Sequence, residues 1–118
     1  MIHHVQLSCP AGSEPALRAF YAGVLGLSEI PKPPLLAPRG GCWFRGDGIE
    51  LHLGVEADFR PARKAHPGLL VHGIDDWAGR LEASGADVVW AEDIPGMRRF
   101  HSHDPLGNRL EFLEPIGS

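Results

Sequence analysis

The chain has 118 residues, 43% apolar and 22% charged, enough for one domain with a core that needs no disulfide or metal staple. Eleven Lys and Arg against fifteen Asp and Glu give a net charge of −4, which argues against nucleic acid or an anionic membrane as partner. Strand-like pattern begins at residue 2, no apolar run is long enough to span a membrane, and Cys9 and Cys42 lack CxxC spacing. The expectation is a reduced cytoplasmic protein with buried thiols and no signal peptide.

Ile2 to Cys9 alternates, with Val5, Leu7 and Cys9 on one face and His4, Gln6 and Ser8 on the other, and predicts a strand. Pro10-Ala-Gly breaks it, and Ser13 is expected to cap a helix with Glu14 and Pro15 in its first turn. Leu17, Phe20, Tyr21 and Val24 then recur at helical spacing, and Gly23 to Gly26 ends the run. A short strand near Leu27–Ile30, a Pro-rich loop from Pro31 to Pro38, a strand over Gly40–Arg45 and a turn at Gly46-Asp-Gly48 follow. Ile49 to Leu53 alternates again, with Glu50 and His52 on the polar side. Val55 to Ala65, with Arg60, Arg63 and Lys64, reads as a linker between two halves.

His66 is expected to open the next strand, with Leu69 and Val71 facing away from His66, Gly68, Leu70 and His72. Asp75 or Asp76 caps a helix through Trp77, Leu81 and Ala83 that stops at Gly85. Asp87–Ala91 and Arg98–His103 read as strands, with a loop from Glu92 to Gly96 between them. Asp104-Pro105-Leu106-Gly107-Asn108 is tight-turn chemistry, and it launches a last strand with Leu110 and Phe112 on one face and Arg109, Glu111 and Leu113 on the other.

The halves repeat. His4-x-x-Leu7-x-Cys9 matches His66-x-x-Leu69-x-Val71, and Gly46-x-x-x-Glu50 matches Gly107-x-x-x-Glu111, at offsets of 62 and 61 residues. Each half is strand–helix–strand–strand–strand: module one 1–54, linker 55–65, module two 66–118. Taken alone, Glu111 reads as a solvated carboxylate. Across the repeat, His4, Glu50, His66 and Glu111 all take the parity opposite to the apolar residues. Two imidazoles and two carboxylates on one pair of faces suit a single divalent ion: Ni, Co, Mn, Fe or Zn.

The motifs His4-Val5-x-Leu7, Phe20-Tyr21-x-x-Val24-Leu25-Gly26-Leu27, His66-x-x-Leu69-x-Val71 and Asp104-Pro105-x-Gly107-Asn108-Arg109-Leu110-Glu111 resemble those of the vicinal oxygen chelate superfamily. That is the glyoxalase, bleomycin-resistance and extradiol-dioxygenase group, and the resemblance spans essentially the whole chain. It implies an α+β fold of paired βαβββ modules forming an incompletely closed, eight-stranded mixed barrel with flanking helices. It also implies a metal held by His4, Glu50, His66 and Glu111, the two-His, two-Glu set of bacterial glyoxalase I. His52 shares the face of Glu50 and is the alternative fourth ligand, or holds a ligand from behind. The resemblance places Arg99 and His101 in the substrate pocket, where positive charge favours an anionic substrate.

The implied activity is metal-dependent isomerase or lyase chemistry on a small substrate with vicinal oxygens, with Glu111 or Glu50 as the base. The alternative is a non-catalytic drug- or metabolite-binding protein like the bleomycin-resistance relatives. Two positions depart from the glutathione-dependent pattern: Ser8 stands where that pattern has Arg, and Gly54 where it has Asn. In the family, modules pair within one chain or across two; the short linker readily permits the cross-chain arrangement, and a homodimer is expected.

Overall fold

The computed structural model describes residues 1–117. It divides into a first compact unit, Met1–Ala62, and a second that begins at Arg63. Both are α+β and both run strand–helix–strand–strand–strand.

In the first unit β1 is Val5–Cys9, β2 Ser28–Ile30, β3 Cys42–Gly46 and β4 Ile49–Val55. They form one mixed sheet in the order β1-β4-β3-β2, with β1 parallel to β4 and the other pairs antiparallel. The helix α1, Glu14–Leu17, runs directly into a π-helical segment, Arg18–Val24. This alters the expected stripe. The Leu25 amide donates to Phe20 O, five residues back, at 2.9 Å, so the turn carries an extra residue. The fully buried series is therefore Leu17, Tyr21 and Leu25, with Phe20 beside it, and Val24 is only half-buried. Tyr21 stacks on Phe44 of β3 with ring centroids 5.3 Å apart, which fixes the helix on the sheet.

Ser13 does not cap the helix with its side chain. Its hydroxyl donates instead to Pro10 O at 2.7 Å, closing the turn that leaves β1. The Ser13 carbonyl still accepts from the Leu17 amide at 3.0 Å.

In the second unit β5 is Gly68–Leu70, α2 Ile74–Ala83, β6 Val89–Ala91, β7 Met97–His103 and β8 Arg109–Pro115, with sheet order β5-β8-β7-β6. Strand β5 starts two residues after His66, because Pro67 between them has no amide to donate to a ladder. Strand β6 likewise begins at Val89, not Asp87. The core joins Ile74, Ala78 and Leu81 of α2 to Leu69, Phe100, Leu110 and Phe112 of the sheet. Phe100 and Phe112 stack at 4.9 Å. Each fully buried side chain of this size contributes about 1.5–3 kcal/mol. The exposed Arg18–Glu29 ion pair is screened by solvent, so the apolar faces dominate stability.

The start of α2 also departs from expectation. Gly73, with φ 71°, is the N-cap residue, and Asp75 and Asp76 lie in the first turn. The cap comes from the far end of the chain: Glu114 accepts from the amides of Gly73 at 2.7 Å and Ile74 at 3.2 Å. Those two bonds hold the Glu114 carboxyl below its ordinary pKa. A carboxylate with a depressed folded-state pKa adds stability above its unfolded value of about 4.3, and that stability is lost as pH falls through the folded value. Glu114→Ala is therefore expected to lower the thermal midpoint by a few degrees at pH 7, and the gap from wild type should close in acid. Thermal melts across pH 3–7 check this.

The two ladders are not in equal register. In the first sheet Val5 pairs with Leu51, and one step further along that register sets His4 opposite Glu50. In the second sheet Gly68, not His66, stands opposite Glu111. The sequence repeat is thus offset by two residues in the ladder, a slip that leaves every side chain on its original face. The turns differ as well. Gly46 belongs to β3 and pairs with Ile49, whereas Gly107 lies inside a five-residue turn between His103 and Arg109.

Candidate functional site

The Asp104–Asn108 turn places the last strand. Asp104 Oδ1 accepts from the amides of Leu106 and Asn108, both at 2.9 Å, and Asn108 Nδ2 donates to Asp104 Oδ2 at 3.0 Å. Gly107 takes φ 95°, open to a residue without Cβ. Both acid and amide are buried, so the turn is a closed polar unit that sets the β7–β8 register. That register puts His101 directly opposite Glu111.

Three donors converge there. His66 Nε2 lies 3.1 Å from Glu111 Oε1, and His101 Nε2 lies 3.8 Å from Glu111 Oε2. The rings of His66 and His101 meet edge to face at 5.5 Å. Among the described residues, His66, His101 and Glu111 offer one ligand atom each within 4.8 Å of one another. A Cβ at Gly68 would stand 3.4 Å from Glu111 Oε1, in contact with the carboxylate, and 3.3 Å from Leu113 Cδ1.

Arg99, two residues before His101 on β7, completes the cluster. Its Nη1 donates to Glu111 Oε2 and stands 3.4 Å from His101 Nε2, while its Nε donates to Asp93 Oδ1 at 3.0 Å. Burial raises the cost of ionising Glu111. The hydrogen bonds from Arg99 and His66, with the Arg99 charge, more than offset it and hold the carboxyl below its usual range. Burial, then the Arg109 charge, lowers the pKa of His101 and favours its neutral, ligating form.

The first unit gathers a second set. Glu50 Oε2 lies 2.8 Å from His52 Nε2, and Glu50 Oε1 accepts from Arg45 Nε at 3.0 Å. His52, 3% exposed, is sandwiched between Trp43 at 3.9 Å and His4, also at 3.9 Å, with nearly parallel rings. The His52 bond, then that of Arg45, holds the Glu50 carboxyl low, and burial lowers the His52 pKa. His4 is exposed.

Of the residues singled out in the sequence, His66, Glu111, His101 and Arg99 thus meet in one cluster, and His4, Glu50 and His52 in another. Sequence reasoning placed His101 with the substrate and overlooked its position beside Glu111. Counting the hairpin outward from Asp104–Asn108 would have found it. It also missed Asp93, read as a loop residue, and Arg45 on Glu50. Nothing in the sequence pattern marks those two pairings.

Two imidazoles and one carboxylate gathered in this way suit a divalent transition ion, whose bonds to such donors are about 2.0–2.2 Å for zinc. No helix among the described residues is long and apolar enough to cross a membrane.

No protein-family model matches the sequence, and no curated protein matches it. Solved structures do. A glyoxalase family protein from Bacillus anthracis is 45% identical, with TM-score 0.93 over 98% of this chain and 94% of that one. Lactoylglutathione lyase from Agrobacterium tumefaciens is 23% identical, with TM-score 0.69 over 93% and 91% of the two chains. A variant of the fosfomycin resistance protein FosX from Listeria monocytogenes, complexed with Mn(II) and 1S,2S-dihydroxypropylphosphonic acid, is 14% identical, with TM-score 0.78 over 98% and 92%.

Proposed function

Because the chain belongs to the glyoxalase family of the vicinal oxygen chelate superfamily, we propose that it is a divalent-metal-dependent isomerase or lyase acting on a small substrate with vicinal oxygens. The observation that carries this reading is the convergence of His66, His101 and Glu111. His66, His101 and Glu111 would hold the ion. The sequence repeat and the family resemblance support His4 and Glu50 as the further ligands, and a second copy of this chain as the partner. The buried thiols Cys9 and Cys42 support a reducing cytoplasm as the setting.

A bound divalent ion supplies Lewis-acid polarisation of two adjacent substrate oxygens, which acidifies the neighbouring carbon-bound proton. An oxygen of Glu111 or Glu50 accepts that proton and returns it to the substrate. Before an ion binds, hydrogen bonds from Arg99 and His66 favour the ionised form of Glu111.

Elemental analysis and Mn²⁺ titration of chelator-stripped protein test the reading. One ion per chain is expected, and no uptake would leave the non-catalytic binding protein. Changes behind a ligand cost about tenfold to a hundredfold in metal affinity. Glu50→Ala is expected to cost more than that and His52→Ala to stay within it, because His52 is closed in by two rings and reaches Glu50 through Nε2. A larger loss for His52→Ala would make His52 the ligand.

A further inference from the structure

Both oxygens of Glu111 are engaged, and one of the engaging groups is a permanent cation. His66 takes Oε1, while Arg99 takes Oε2 and lies against His101 Nε2. The guanidinium therefore sits against Glu111 Oε2 and His101 Nε2, inside the cluster that offers a metal ion its donor atoms. Arginine cannot shed its proton to make way. The two positive charges would share one small cluster, so an arriving ion has to displace Arg99 from Glu111.

The same guanidinium already has a second anchor. Its outer edge, Nε and Nη2, is held by Asp93 in the connection between β6 and β7. Asp93 is exposed, and the Arg99 hydrogen bond is the chief cause that lowers the pKa of its carboxyl. Arg99 forms part of the wall of a hollow of about 670 Å³, together with Trp90, Ile94 and Met97. A side chain pivoting on Asp93 can leave Glu111 without losing its charge partner.

We propose that Arg99 is the resident cation of the metal-free cluster and that Asp93 is the positioning residue that draws it aside, so that the pair sets the metal affinity of the site. The proposal rests on the metal-binding reading above.

The test is calorimetric Mn²⁺ titration of the chelator-stripped full chain in a double-mutant cycle. Arg99→Gln removes the competitor and is expected to tighten binding about tenfold or more, the scale of one charge-assisted hydrogen bond. Asp93→Ala leaves Arg99 with Glu111 alone and is expected to weaken binding several-fold. In the Arg99→Gln background, Asp93→Ala should change affinity less than about twofold, since its effect runs through Arg99. A structural or long-range charge effect of Asp93 would persist there and would overturn its role. Binding that is unchanged or weaker in Arg99→Gln overturns the proposal while leaving the metal site standing. No uptake by any of the four proteins removes the metal site and the proposal together. Should Arg99→Gln fail to fold, wild type supplies the answer. One arginine Nε–H signal, assigned through Arg99→Lys, should shift on adding Zn²⁺, and an unmoved signal overturns the proposal.

Discussion

Glu111→Gln is expected to remove turnover and metal binding together. The substitution keeps the size of the side chain and its place opposite His101, but it removes the charge that His66 and Arg99 converge on. As a ligand, Glu111 should cost at least the roughly tenfold to hundredfold in metal affinity that supporting residues cost. As the base it should cost a further factor on the order of 10² to 10⁴ in kcat. Measuring kcat at saturating metal separates the two contributions. The thermal midpoint of the metal-free variant reports whether loss of the Arg99 pairing has disturbed the fold. Wild-type kcat in a folded, metal-loaded Glu111→Gln protein would leave Glu50 as the base. Unchanged metal affinity would remove Glu111 from the ligand set.

The second large effect concerns the substrate. The protein is expected to favour a small anionic substrate with vicinal oxygens, such as a 2-oxo or 2-hydroxy acid, over the methylglyoxal–glutathione adduct. Ser8 and Gly54 occupy the positions where the glutathione-type pattern carries Arg and Asn, and they are direct neighbours across the β1–β4 ladder. The side chain of Gln6 lies over Gly54, where a Cβ would come within 2.8 Å of Gln6 Nε2 and turn that flexible side chain aside. The grip on a large thiol conjugate is thus missing at adjoining positions. Arg99 supplies positive charge beside Glu111 instead, and its planar fork suits a carboxylate. Arg99→Ala should raise KM for an anionic substrate by about tenfold to a hundredfold, the value of one charge-assisted contact. A turnover screen of both substrate classes with metal-loaded wild type and variant decides the matter. Efficient lactoylglutathione formation, or an unchanged KM in Arg99→Ala, would refute the preference.

These two results would pull Arg99 in opposite directions. Removing it should tighten the metal and loosen the substrate. A residue that merely filled space would do neither, so measuring both on one variant is more informative than either measurement alone.

Much of this protein is written locally along the chain. Period-two runs such as Val5-x-Leu7-x-Cys9 and Leu110-x-Phe112 commit one face to the core, whatever else the chain does, because a strand has only two faces. The Asp104–Asn108 turn closes through bonds among its own residues, so five letters specify it. Face parity therefore set Glu111 on the face opposite Leu110 and Phe112, and the doubled βαβββ order followed from the repeat.

Properties that depend on the relation between elements were not legible in the same way. The two-residue offset between the ladders leaves parity unchanged, so no alternation pattern can reveal it, and Gly68 rather than His66 stands opposite Glu111. The widened turn that exchanges Val24 for Leu25 arises where Tyr21 packs on Phe44, a residue from a distant strand. The cap on α2 comes from Glu114, about forty residues away, and overrides the local signal of Asp75 and Asp76. The partners of Arg99 belong to the same class. A charged side chain on a strand face reads as free in the sequence, and packing brings Asp93 and Glu111 to it, because burying a guanidinium and a carboxylate together requires that each find its counter-charge.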